Sequence, residues 1–342
     1  MTGLIRRAMT VGLVGLMLAM MVATAAAQPL PDDCARLAAD RQRLDCYDRA
    51  MPGQRPGSTT PDAGQSAPPV DAAELVDDAD QLLSRIWELD PQTRRNRFQL
   101  VPHQNNYLLP ARASSQPNRY PSSPDRPPAD QAQSVDSTEL KFQFSVKLKV
   151  AENLVGQNGD LWFGYTQQAN WQVYNDGLSK PFRELNYSPE MILSLRADTD
   201  LLGWRWRLLN IGLLHESNGL SEPGSRSWNR LYTQFGFTRG RWVMMIRPWV
   251  ELGSSDDNPD IIDYMGRGDL RLAWLGRRHS LSLLTRYSFA ENRGAVQLDW
   301  AFPVVGSLKG YVQVFRGYGE SLIDYNHAQT TVGIGVLLTS WQ

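Results

Sequence analysis

From about residue 96 onward the chain runs in segments where apolar and polar side chains alternate, each closed by turn-forming residues. A two-residue period belongs to a β-strand, whose successive side chains face opposite ways. Twelve segments are legible, at about 97–110, 139–150, 158–173, 184–199, 203–217, 228–239, 241–253, 265–276, 278–289, 293–303, 307–317 and 328–341. Their connections alternate in length: Ala111 to Ser137 is long and rich in Pro, Ser and Asp, while Arg239-Gly240 and Gly276-Arg277 are tight. Long loops on one side and short turns on the other mark an outer-membrane barrel, and an even strand count returns both chain ends to the periplasm. The expected fold is all-β, a twelve-stranded antiparallel transmembrane β-barrel with an N-terminal periplasmic extension.

Composition removes competing classes. Basic and acidic residues number 35 and 36, for a net charge of -1, without the basic excess of a nucleic-acid binder. A helical membrane protein needs repeated apolar runs of about 20 residues, and only the N-terminus comes close. The 11 Trp, 12 Tyr, 10 Phe and 27 Gly suit a barrel, although β-sandwiches share that composition.

At the N-terminus, Arg6 and Arg7 precede an apolar stretch from Val11 to Val22 and a small-residue end, Ala25-Ala26-Ala27. This pattern predicts a signal peptide over residues 1–27 and an exported mature chain. Residues 28–95 are expected to form a periplasmic extension and linker, and 96–342 the barrel. The two cysteines, Cys34 and Cys46, flank a helix-like stretch. An unbroken helix of that length spans about 18 Å, whereas a disulfide needs Cα atoms within about 7 Å, so their pairing stays open. Pro52 to Val70 reads as a linker. Ala72 to Leu89 reads as a short amphipathic helix with a solvated acidic face, and the extension offers no functional signature.

Parity identifies the lipid-facing wall. On the segment ending at Ser217, Leu209, Ile211 and Leu213 alternate with Asn210, Gly212 and Glu216, so odd positions face the bilayer. His215 and Ser217 continue that parity outward. The next segment has apolar Leu231, Phe235 and Phe237 against Arg230 and Gln234, which puts Asn229 on the same face. Of the four histidines, only His215 has a hydroxyl at i+2, on one face about 7 Å away. A serine hydroxyl is a poor nucleophile until an imidazole takes its proton, and an amide can orient that imidazole as an aspartate does. Three polar residues at a barrel rim would be the plain alternative, but bare polar groups facing lipid are costly. Gln167 interrupts another lipid-facing stripe, Leu161, Phe163, Tyr165, Ala169 and Trp171. A twin amide across a two-fold axis would satisfy it, for about 1 kcal/mol, unless a bulge shifts its parity.

The words His215-Glu216-Ser217-Asn218-Gly219 and Ser225-Arg226-Ser227-Trp228-Asn229-Arg230 resemble the bacterial outer-membrane phospholipase A family. The similarity extends through Pro181 to Tyr187, Asp256 to Ile261 and Gly317 to Asn326, and covers about residues 96–342. The resemblance implies a calcium-dependent phospholipase A1/A2 of the bacterial outer membrane that acts on phospholipid and lysophospholipid acyl esters once it forms a homodimer. Carried over by position, Ser217 is the nucleophile, His215 the general base, Asn229 its orienter and the Gly219 N–H an oxyanion donor. Calcium would be held by the Ser225 hydroxyl, the Leu220 carbonyl and Ser179 of a partner subunit. Leu220 stands where the family usually has Arg, which a carbonyl role tolerates. Glu222 and Asp257 would offer a second, acidic calcium site, and Gln167 and Trp171 the dimer interface. The competing readings are a structural or pore barrel and a lipid A deacylase.

Overall fold

The computed structural model describes residues 79–128, 132–177, 182–253 and 256–339. The expected signal peptide, Cys34, Cys46, the linker, Ser179, Ser254-Ser255 and the terminal Trp341-Gln342 lie outside these residues. Thirteen strands follow one another: β1 Leu100–Pro102, β2 Asn106–Ser114, β3 Thr138–Ala151, β4 Asp160–Trp171, β5 Phe182–Leu201, β6 Trp204–Ser217 and β7 Ser227–Arg239, then β8 Trp242–Glu251, β9 Gly268–Leu275, β10 Ser280–Ser288, β11 Arg293–Val305, β12 Leu308–Tyr318 and β13 Ala328–Thr339. Strands β2 to β13 form a closed antiparallel ring of twelve, with β13 pairing β2 to complete it. Among the described residues no helix is long and apolar enough to cross a membrane; the strands do the crossing.

The first strand departs from expectation. Instead of one segment at 97–110, β1 and β2 are two pieces that both run antiparallel to β3. Between them, the Asn106 carboxamide takes over the backbone of Ser145, accepting from its N–H at 2.6 Å and donating to its carbonyl at 3.0 Å. His103 turns into the lumen, its Nε2 2.7 Å from Glu190 Oε1. A side chain that mimics the ladder lets the backbone kink without leaving buried groups unpaired.

Exposure alternates along the strands as the sequence implies. On β6, Ile211 and Leu213 are exposed while Asn210, Gly212 and Leu214 are buried. Near the short turns, Trp242, Trp274, Leu281 and Trp300 align across β8 to β11 as one outward row, the aromatic girdle of a membrane interface. His279 belongs to it: Trp300 Nε1 donates to its Nδ1 at 3.2 Å.

The lumen is filled from both ends. At the short-turn end sits helix α1 (Ala79–Trp87), whose Ala79 N–H donates to Gly240 O at 3.0 Å. Leu82, Leu83 and Trp87 pack against Trp162, Ile192, Leu208, Val243 and Met245. The helix lies within the stretch read as amphipathic, but its acidic face is not simply solvated. Asp80 accepts from Thr238 at 3.0 Å and pairs with Arg207 at 3.0 Å, because the inward walls of β6 and β7 supply its partners. At the long-loop end, Glu139 accepts from Arg112 at 2.8 Å, Arg183 at 3.0 Å and Asn170 at 2.6 Å. Arg183 also reaches Asp324 at 2.9 Å, and Glu320 pairs with Arg112 and with Lys141. A polar cavity of about 180 Å³ remains between the two layers.

Candidate active site

The β6–β7 hairpin builds the site by register. His215 lies opposite Asn229, and Ser217 opposite Ser227, at the open end of the ladder. His215 Nδ1 is 2.8 Å from Asn229 Oδ1. A carbonyl oxygen only accepts, so Nδ1 carries the proton and Nε2 keeps the lone pair a base needs. His215 and Asn229 are exposed on the outer wall, with Leu213 and Leu231 beside them towards the bilayer centre. The structure thus sets His215 against Asn229, with Ser217 two residues further along the same strand. The other histidines have structural partners: His103 has Glu190, His279 has Trp300, and His327 is 2.8 Å from Gln116 O.

Beyond Ser217 the chain turns sharply. Gly219 has φ +65° and its N–H donates to Ser217 Oγ at 3.2 Å. Only glycine enters this backbone region without strain, and a Cβ here would meet the Tyr187 ring at 3.1 Å. An N–H donor therefore sits beside the hydroxyl. The turn is organised by Asn218, buried, whose Oδ1 accepts from the N–H groups of Arg226 (2.9 Å) and Leu220 (3.3 Å) while its Nδ2 donates to Gly224 O (2.9 Å). Asn258, also buried, accepts from Ser227 N at 2.9 Å and ties the next loop to the same corner. Neither asparagine was singled out as functional. Their signal, Asn inside a predicted loop, is common to most turns.

The residues proposed from sequence as cation ligands converge in part. Ser225 Oγ donates to Asp257 Oδ2 at 2.7 Å. Glu222 and Asp257 meet at one guanidinium: Arg126, from the connection between β2 and β3, donates to Glu222 at 2.8 Å and to Asp257 at 3.3 Å. Leu220 has an exposed side chain, as a residue working through its carbonyl can. The donor set is all oxygen, which fits a hard cation. The acidic pair is already bridged by an internal cation, which sequence reading missed because Arg126 lies about 100 residues away.

Gln167 faces outward on unbroken register, opposite Phe144 and Tyr187; the shifts in β4 fall at Lys149/Ala151 and Asn170/Trp171. Its parity is not displaced. Its Oε1 accepts from Tyr165 at 3.2 Å. Trp171, on the same stripe, stacks on Phe182 with centroids 4.9 Å apart. Phe144, Gln167, Tyr187 and Ser217 form one cross-strand row. Gln167 therefore lies two strands, or about 10 Å, from Ser217 along this row.

The profile of the family described as phospholipase A1 matches residues 83–338. Phospholipase A1 of Escherichia coli is 39% identical over 247 residues, 72% of this chain and 84% of that protein. The crystal structure of Salmonella typhi outer membrane phospholipase, a dimer with bound calcium, superposes with a TM-score of 0.69 at 37% identity, covering 76% of this chain and 98% of the other. The Escherichia coli outer membrane phospholipase A carrying an asparagine-to-alanine active-site substitution gives 0.68 at 36% identity, covering 76% and 98%. A barrel with a filled lumen, matched along three quarters of its length, places the chain: it belongs to the phospholipase A1 family of outer-membrane enzymes.

Proposed function

We propose that this enzyme hydrolyses acyl esters of outer-leaflet phospholipids and lysophospholipids with a Ser-His-Asn triad on its lipid-facing wall. The observation that carries the reading is the His215 Nδ1–Asn229 Oδ1 bond at 2.8 Å, two residues from an outward serine at the edge of the apolar belt. The Escherichia coli relative with an asparagine-to-alanine active-site substitution supports an asparagine among the active-site residues. A phospholipid enters from the membrane, its acyl chain lying along Leu213 and Leu231 and its ester at the height of Ser217. His215 Nε2 takes the Ser217 proton as Oγ attacks the ester carbonyl, and Asn229 stabilises the imidazolium through Nδ1–H. The Gly219 N–H receives the developing oxyanion. His215 then returns the proton to the leaving alcohol, and a water repeats the cycle on the acyl-enzyme to release fatty acid.

Calcium, named in the Salmonella typhi structure, would be held by the Ser225 hydroxyl, the Leu220 carbonyl and Ser179 of the partner subunit, and supplies positive charge for the oxyanion. Glu222 and Asp257 form the proposed second site, where Arg126 holds the same carboxylates. Dimer formation through Gln167 and Trp171 completes the first site and covers the wall beside Ser217. The pore alternative has little support, since ion pairs and helix α1 fill the lumen. Measuring fatty-acid release from mixed micelles with wild type and Ser217→Ala tests the reading. Release lost in the variant and in chelator supports it; unchanged release from Ser217→Ala sinks it.

A further inference from the structure

The triad occupies the last residues of β6 and the first of β7, where ladders fray most readily. Its outer face offers little to hold it, because lipid supplies no hydrogen bonds. The opposite face of the same two strand ends is different. Glu216, between His215 and Ser217, points into the lumen and accepts from Trp228 Nε1 at 3.0 Å and from the Arg230 guanidinium. Trp228 and Arg230 are the two neighbours of Asn229. Arg230 also lies 3.8 Å over the Trp228 ring, and Trp228 meets Trp249 edge-on at 6.2 Å. Trp228 and Arg230 are buried, so this triangle is fixed by packing on its inner side.

We infer that Glu216 is a positioning residue for the reaction: from inside the barrel it clamps β6 to β7 across Trp228 and Arg230, and so holds His215 against Asn229 on the outside. Strand geometry makes the link direct. Side chains at successive residues share one backbone but opposite faces, so a bond from residue 216 to residues 228 and 230 fixes the register of 215 against 229. A slip or a local opening there moves the imidazole relative to Ser217 Oγ, and misplacement of about 1 Å costs on the order of 100-fold in rate. Glu216 touches neither substrate nor the reacting atoms. It acts through Asn229 and His215, and the inference rests on the triad reading.

The test is a cycle of kcat measurements in calcium-containing mixed micelles. It uses wild type, Glu216→Gln, Glu216→Ala, Asn229→Ala and the double Glu216→Ala/Asn229→Ala, with Ser217→Ala as reference. Expected are a kcat fall of about 10- to 100-fold for Glu216→Ala with KM within about 2-fold, a smaller fall for Glu216→Gln, which keeps one acceptor, and a double variant no slower than Asn229→Ala. Trp228→Phe, which removes one donor and keeps the packing, should match Glu216→Gln. Independent losses that multiply in the double variant would overturn the positioning role, as would a wild-type kcat in Glu216→Ala. Activity persisting in Ser217→Ala would instead show that the triad reading has failed, a separate outcome.

Discussion

The two faces of the β6–β7 hairpin are built on opposite terms. Inward, Glu216, Trp228 and Arg230 are hydrogen-bonded, stacked and packed, and they continue into a lumen where Glu139 alone accepts from four residues within 3.0 Å. Outward, His215 has Asn229, Ser217 has one backbone N–H, and lipid takes the rest. Because neighbouring residues alternate faces, the stability of one and the openness of the other share a backbone. A substrate that arrives sideways through the membrane needs an uncovered wall. The frame that keeps such a wall in register has to be inside.

This contrast predicts that activity and stability separate by face. The largest effect belongs to the outer face: Ser217→Ala should lower fatty-acid release by at least about 10³-fold while the unfolding free energy from urea titration stays within about 0.5 kcal/mol of wild type. The converse holds inside. Glu139→Ala takes one carboxylate from Arg112 and Arg183, which keep Glu320 and Asp324, and leaves the Asn170 and Gln172 amides without that acceptor, a cost of about 1–3 kcal/mol, read as a lower urea midpoint and loss of the compact band on unheated gels. The refolded fraction should keep activity within a few-fold. A Glu139→Ala protein of normal stability and lost activity would erase the distinction between the faces.

Gly219 sits where the faces meet, at the turn leaving β6. Gly219→Ala forces an L-residue to φ +65° against the Tyr187 ring, a strain of roughly 1–2 kcal/mol. The turn relieves it by swinging the N–H away from Ser217 Oγ. Removing an oxyanion donor costs on the order of 100-fold or more in kcat, so a fall of about that size with KM unchanged is expected from initial rates. Wild-type kcat in this variant would take the Gly219 N–H out of the mechanism.

Legibility followed the same division. Two-residue alternation exposes which residues point outward, and it is enough to put His215, Ser217 and Asn229 on one face. The barrel and its strand positions were likewise readable, since each strand repeats the pattern alone. What alternation does not carry is who meets whom inside. Arg126 bridging Glu222 and Asp257, Arg183 joining Glu139 to Asp324, and Asp80 of helix α1 meeting Arg207 are contacts between residues far apart in the chain. The break between β1 and β2 escaped for a related reason. It depends on Asn106 finding Ser145, 39 residues on, and nothing in the local pattern of 97–110 announces it.

The smallest expected effect tests whether the outer wall is finished within one chain. Gln167 and Ser217 share a cross-strand row, so a partner docked at Gln167 would lie beside the nucleophile. Within the chain, the Gln167 carbonyl oxygen takes the Tyr165 hydroxyl, and its amide hydrogens remain to pair across an interface. Hydrogen bonds between membrane segments contribute about 1 kcal/mol, which is about a 5-fold change in an equilibrium constant. Gln167→Ala should therefore weaken the proposed calcium-dependent dimer by about that factor in sedimentation equilibrium in detergent. Activity at low enzyme-to-detergent ratio should fall in step and recover as the ratio rises, because the defect is one of mass action. If activity falls equally at every ratio, Gln167 acts on the triad of its own chain through Tyr187, and the outer wall is complete without a second copy.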